Sequence, residues 1–106
     1  MALKILGQVA PAATTEVDVY TAPGGAETVV SSITVCNRGA DGTYRVSVRQ
    51  GGGATANKDY VAYDAPIRAN DTVVIVAGIT MAATDVLRFY NSNGNMSMSA
   101  FGQETV

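Results

Sequence analysis

The sequence predicts an all-β fold: an antiparallel β-sandwich or jelly-roll-like barrel of about seven to eight short strands. Three observations carry that expectation. Strong helix formers rarely cluster, while Val, Thr, Ile, Tyr, Ser and Gly dominate. Several runs alternate apolar and polar residues with period two. These runs recur about every 8–14 residues, separated by Gly, Asn and Asp turns. At 106 residues the chain has room for one domain.

The elements follow in order. Met1–Leu6 is apolar apart from Lys4, and Pro11-Ala12-Ala13-Thr14-Thr15 reads as a linker. Such a segment suits either an extended arm that adds to a neighbour's sheet edge or a first strand of the chain's own sheet. The sequence is divided here into an arm and linker over 1–15 and a sandwich over 16–106. Val17–Thr21 is a short strand. Glu27–Cys36, ETVVSSITVC, places Val29, Ile33 and Val35 on one face and Val30, Thr34 and Cys36 on the other. A turn over Asn37–Gly42 leads to Thr43–Gln50, TYRVSVRQ. There Tyr44, Val46 and Val48 oppose Arg45, Ser47 and Arg49, a half-buried strand with a polar outer face. These two runs are expected to form a β-hairpin.

Gly51-Gly52-Gly53 opens a flexible loop through Asp59. Tyr60–Tyr63 is a short strand, which Pro66 ends or leads onto a sheet edge. Thr72–Ala77, TVVIVA, is apolar without alternation, so both of its faces ask for a cover. Gly78 breaks the run and Ile79–Met81 is a stub. Asp85–Tyr90 alternates. Asn93-Gly94 is a strong two-residue hairpin signal. The last strand, Asn95–Phe101, sets Met96, Met98 and Ala100 against Ser97, Ser99 and Phe101.

Composition argues against enzymatic chemistry. The chain has no His, the commonest general base and zinc ligand. The single Cys36 has no thiol-protease partner and reads as a small buried hydrophobe. No acidic residues fall at metal-ligand spacing, and Asp59, Asp64 and Asp71 read as solvated turn carboxylates. The glycines at 51–53 lack the Lys-Ser/Thr and the helix of a phosphate loop. The reading is therefore a non-enzyme without metal or cofactor. Seven scattered cations and a net charge of −2 argue against a nucleic-acid surface. No apolar run is long enough for a membrane helix, and the start lacks the apolar core of a signal peptide, which suggests a cytoplasmic protein.

Charged residues make up only 15% of the chain, against roughly 25% in soluble domains. Either hydroxyl and amide side chains coat the surface, or part of it is hidden against a partner.

Several segments together point to a family: KILGQVAPAATTEVDVYTAPGG, VVSSITVCNRG, YRVSVRQGGG, KDYVAYDAPIRANDTVVIVAGITMAATDVLRFY and NMSMSAFGQE. They run from Lys4 to Glu104. Typical pieces are Leu6-Gly7-Gln8, Tyr20-Thr21-Ala22-Pro23, Val35-Cys36-Asn37, Tyr60-Val61-Ala62-Tyr63-Asp64, Ala69-Asn70-Asp71-Thr72 and Ala100-Phe101-Gly102. In this overall pattern, which contains no catalytic motif, the chain resembles small virion proteins of tailed bacteriophages, including phages of cyanobacteria. The resemblance implies a β-sandwich that decorates or cements the outside of an icosahedral head. It implies a homotrimer bridging subunits of the major capsid protein, assembled in the host cytoplasm, with no catalytic residues. In that setting the interface candidates are Leu3, Ile5, Leu6, Val73, Val74, Ile75, Val76, Met96, Met98 and Phe101. The alternative is a tail or fibre module that recognises a host glycan through loop tyrosines, Tyr60 and Tyr63 foremost. A cellular β-sandwich interaction domain is a third reading.

Overall fold

The computed structural model describes residues 2–105, and within them all side chains but those of Ala2 and Ala77. Eight strands follow in order: β1 (Ala2–Val9), β2 (Val17–Thr21), β3 (Glu27–Asn37), β4 (Gly42–Arg49), β5 (Tyr60–Ile67), β6 (Thr72–Met81), β7 (Val86–Asn91) and β8 (Met96–Thr105). The only helical pieces among the described residues are two three-residue 3₁₀ turns, Gln50–Gly52 and Asn57–Asp59. No helix there is long and apolar enough to cross a membrane.

The strands form two four-stranded antiparallel sheets, β1-β8-β3-β6 (sheet A) and β2-β7-β4-β5 (sheet B). The pairs β1·β8, β2·β7, β3·β6 and β4·β5 make one long double-stranded ribbon with its apex at residues 50–59. The ribbon folds over, so that β8 also pairs with β3 and β7 with β4. This is the strand order of a jelly roll.

The core lies between the sheets. Phe89, Ile33, Leu87, Met96, Met98, Val30, Val35 and Val46 are fully buried. Each comes from the inward set of a period-two strand. Burial of one such side chain contributes about 1.5–3 kcal/mol. Two glycines permit close approaches at the β1 side. A Cβ on Gly7 would lie 2.3 Å from the Val19 carbonyl oxygen, and one on Gly102 2.1 Å from that of Val29.

Several expectations are corrected. β3 and β4 are not a hairpin, because they lie in different sheets. The turn between them is a corner built by Asn37, which is buried. Its amide donates to the carbonyls of Ala40 and Arg68, and its oxygen accepts from the Gly39 amide. The Asn93-Gly94 turn likewise joins β7 of sheet B to β8 of sheet A. Gly94 has the expected positive φ of 75°, but the turn spans the sandwich. Asn93 donates to the Asn37 oxygen and the Ala40 carbonyl, tying the two corners together.

Of the two readings of the start, the first strand of the chain's own sheet is the one seen: residues 2–9 form β1, the edge strand of sheet A, paired with β8. Leu6 anchors the strand in the core, and the Thr14 amide donates to the Asn91 carbonyl. Met1 lies outside the described residues. Gly78 does not end β6, which runs on to Met81 past an irregularity in its pairing with β3.

Candidate functional site

The outward residues of sheet A are fixed by its register. Four rows cross the sheet: Leu3–Gln103–Val29–Thr80, Ile5–Phe101–Ser32–Val76, Gln8–Ser99–Thr34–Val74 and, on three strands, Ser97–Cys36–Thr72. None of these side chains is charged. Glu27, at the corner where β3 meets the end of β8, is the carboxylate at the margin. The face is also apolar in an unusual way. Leu3 and Val76 are each 82% exposed, Val74 57%, Ile5 55% and Val29 42%. Large aliphatic groups set so far into water are individually ordinary; five of them on one uncharged face make this face the candidate surface.

Sheet B presents a different outer face. Asp18, Arg88, Ser47 and Tyr60 form one row, and Tyr90 and Arg45 lie in another. Arg88 donates to Asp18 at 2.8 Å, to the carbonyls of Gly52 and Gly53, and to the Thr55 hydroxyl. The glycine-rich segment 50–59 is thus held down over the sheet and is not a loose tether. Ser47 points outward and is nevertheless buried beneath it. Asp59 closes the far end, accepting from Lys58, Arg49 and the Ala56 amide. It is buried, in contrast to the solvated role expected for it. The Lys58 and Ala56 donors, together with the Arg49 charge, hold its carboxyl below the usual carboxylate range.

Beside this lid, Arg45 lies over the rings of Tyr63 and Tyr90 at 4.3 and 4.4 Å and donates to Asp64 at 2.7 Å. Its pKa is raised by the Asp64 hydrogen bond. Tyr60 meets Tyr63 edge to face, and a shallow cleft is lined by Asn57, Tyr60 and Tyr63.

A third polar group closes one end between the sheets. The Tyr20 hydroxyl of β2 donates to Glu104 of β8 and accepts from Thr28 of β3, while Lys4 donates to Glu104 at 3.1 Å. Burial, then the Glu104 bond, raises the Tyr20 pKa. The Tyr20 and Lys4 donors lower that of Glu104. This group bonds the sheets together and is not arranged around a reacting centre. Among the described residues no three His, Cys, Asp or Glu groups converge on a metal position.

The ten interface candidates divide by strand parity. Leu3, Ile5, Val74, Val76 and Phe101 share the outer face of sheet A. Leu6, Met96 and Met98 lie in the core, and Val73 and Ile75 pack against it from the inner face. Leu6, Met96 and Met98 are closed off inside the sandwich, whereas Val73 and Ile75 are partly buried on the edge strand β6. Sequence reading missed Val29, Gln8 and Gln103 on the same face. It set Val29 with Ile33 and Val35, but the irregularity between Val30 and Ser32 turns Val29 outward and puts Val30 in the core with them. Cys36 is half-buried on this face. No protein-family model, curated protein or solved structure matches the chain.

Proposed function

We propose that this chain is a structural subunit of a bacteriophage particle, a cement or decoration protein on the outside of the head. In this reading it acts as a homotrimer that bridges subunits of the major capsid protein. The observation that carries the reading is the uncharged outer face of sheet A, where Leu3, Ile5, Val29, Val74 and Val76 stand exposed among Ser, Thr and Gln. It joins the resemblance of the segments between Lys4 and Glu104 to small virion proteins of tailed phages. A jelly roll by itself assigns no function.

The energetics suit the role. At about 25 cal/mol per Å² of apolar surface, covering such a face stabilises only an assembled state. A subunit that binds the expanded shell and not its precursor shifts the shell equilibrium by mass action. Three linked copies multiply that effect through effective concentration. The test is to add the purified protein to expanded heads that lack it and to reconstruct the particles. Saturable, symmetric density at capsomer junctions and a raised head-melting temperature are the expected results. Heads that neither retain the protein nor gain stability would refute the proposal.

A second reading has its own observation: the cleft of Asn57, Tyr60 and Tyr63, where Tyr63 is 57% exposed. An aromatic wall beside an amide suits a sugar ring, as a tail or fibre module would need. Glycan binding lost on Tyr63→Ala, with the protein at the tail tip in few copies, would favour it.

A further inference from the structure

We infer that Asn93 is a self-modification site gated by the corner it fastens: it deamidates only when that corner opens, and the product keeps the corner from closing again. The device needs no partner and stands whether or not the chain belongs to a phage head.

The chemistry starts from the pair Asn93-Gly94. Of the six asparagines in the chain only Asn93 precedes a glycine; the others precede Arg38, Lys58, Asp71, Ser92 and Met96. Glycine has no side chain to keep its backbone nitrogen from reaching the preceding amide. The deprotonated Gly94 nitrogen attacks Cγ of Asn93, the Cγ–Nδ2 bond breaks, and ammonia leaves with the proton. Water then opens the five-membered imide at either carbonyl. One opening gives aspartate, the other isoaspartate with the backbone rerouted through Cγ. Water enters, ammonia departs, and no oxidant or reductant is needed.

In the closed corner both reacting groups are occupied. The Gly94 amide donates to the side-chain oxygen of Asn91, a fully buried residue whose own amide donates to the Pro11 carbonyl at 3.2 Å. The Asn93 amide donates to the Asn37 oxygen at 3.2 Å and to the Ala40 carbonyl at 2.8 Å, and its oxygen accepts from the Asn95 amide at 2.8 Å. Attack on Cγ requires the Gly94 nitrogen to leave Asn91 and the Asn93 amide to turn out of its three bonds. Both happen together only in a local opening of the β7–β8 turn.

The product does not fit back. Aspartate at 93 carries no donor, and its charge would face the Asn37 oxygen and the Ala40 carbonyl, both acceptors. Asn37 cannot turn its amide round to help. Its nitrogen is held by the carbonyls of Ala40 and Arg68, and its oxygen by the Gly39 amide. Isoaspartate adds a backbone atom to a turn that must span the two sheets.

The test incubates the full chain at one mildly alkaline pH, native and in urea above its unfolding midpoint, and maps the peptides for conversion of amide to acid. In urea, conversion is expected to concentrate at Asn93. In the native protein it is expected to run at least about tenfold slower and to track hydrogen exchange of the Gly94 and Asn95 amides. Asn93→Asp, which mimics the product, is expected to speed exchange at Gly94, Asn95 and Arg38, whose amide donates to the Asn95 carbonyl. Asn57→Asp, at an exposed position away from the corner, is expected to leave that exchange unchanged. Should Asn93→Asp fail to fold, the site map and the native-to-urea ratio of the wild type decide. Native conversion as fast as in urea, no conversion at Asn93 in urea, or a folded Asn93→Asp with the exchange of the wild type overturns the inference.

Discussion

Arg88 and Val76 both point away from the core, yet the Arg88 side chain is only 12% exposed and Val76 is 82% exposed. On sheet B a charged side chain is wrapped by the chain's own loop, with four oxygen acceptors from Asp18, Gly52, Gly53 and Thr55. On sheet A an aliphatic side chain is left in water with nothing folded over it. The contrast runs against the usual partition of residues. It teaches that the two faces are finished by different means. Sheet B is completed within the chain, whereas the chemistry of sheet A suits completion by another surface. Internal stability should therefore depend on the outer face of B, and association on the outer face of A.

The largest effect should come from Arg88→Ala. It leaves Asp18 and two loop carbonyls without their donor, and charged hydrogen bonds contribute about 1.5–3 kcal/mol each at most. Because the acceptors regain water as the loop lifts, a net loss of about 2–4 kcal/mol is expected in urea unfolding. Amide exchange should rise over residues 52–56 first. No change in exchange there would break the description of a held lid.

Acid should act next, and on sheet B's lid as well as on the end of the sandwich. Asp59 and Glu104 both have pKa values lowered in the fold. Their contribution is complete above the unfolded carboxylate range. It is lost as pH falls through the lower folded values. Stability should thus fall below about pH 4, and Asp59→Asn should flatten part of that slope. Tyr20 has the opposite sign. Its raised pKa means stability present below the ordinary tyrosine value of 10.0 and lost above it. Burial raises the pKa of Tyr44 as well, so Tyr20→Phe should remove part of the alkaline limb while leaving the Lys4–Glu104 pair in place. Unfolding free energy measured across pH for the two variants checks both limbs.

A smaller effect is expected from Tyr63→Ala, which removes one of the two rings under Arg45. Cation–π contacts at exposed sites contribute about 0.5–1 kcal/mol. The smallest belongs to Val76→Lys, within about 0.5 kcal/mol of the wild type when both are monomeric. A large loss of monomer stability there would mean that β6 depends on its outward side chain, and the comparison of the faces would fail.

The sequence carried the strands well because they are written in period two. Val17–Thr21 is recovered residue for residue, and the inward parity of Met96, Met98 and Ala100 holds. It did not carry which strands are neighbours. Turn residues at Asn37 and Asn93-Gly94 signal a reversal, but a reversal within a sheet and a corner between sheets use the same local chemistry. The Asn37–Asn93 contact that decides the matter links positions 56 residues apart. The same limit explains the arm. An apolar segment before a Pro-containing linker pairs equally well with its own β8 or a neighbour's, and only the docking of Leu6 distinguishes them here. For the candidate surface, the unbroken TVVIVA run showed that both faces needed cover. Parity then assigns Val73 and Ile75 to the core and Val74 and Val76 to the outside. The lid over sheet B was illegible, since nothing local says that Arg88 reaches the carbonyls of Gly52 and Gly53.

Cys36 provides the most direct test, because the chain's single thiol sits half-buried on the disputed face between Ser97 and Thr72. Its alkylation rate reports whether that face is covered. The account predicts a rate that falls at least tenfold as wild-type concentration rises, and a fast, concentration-independent rate in Val74→Lys/Val76→Lys. Equal rates for both proteins at every concentration would contradict it.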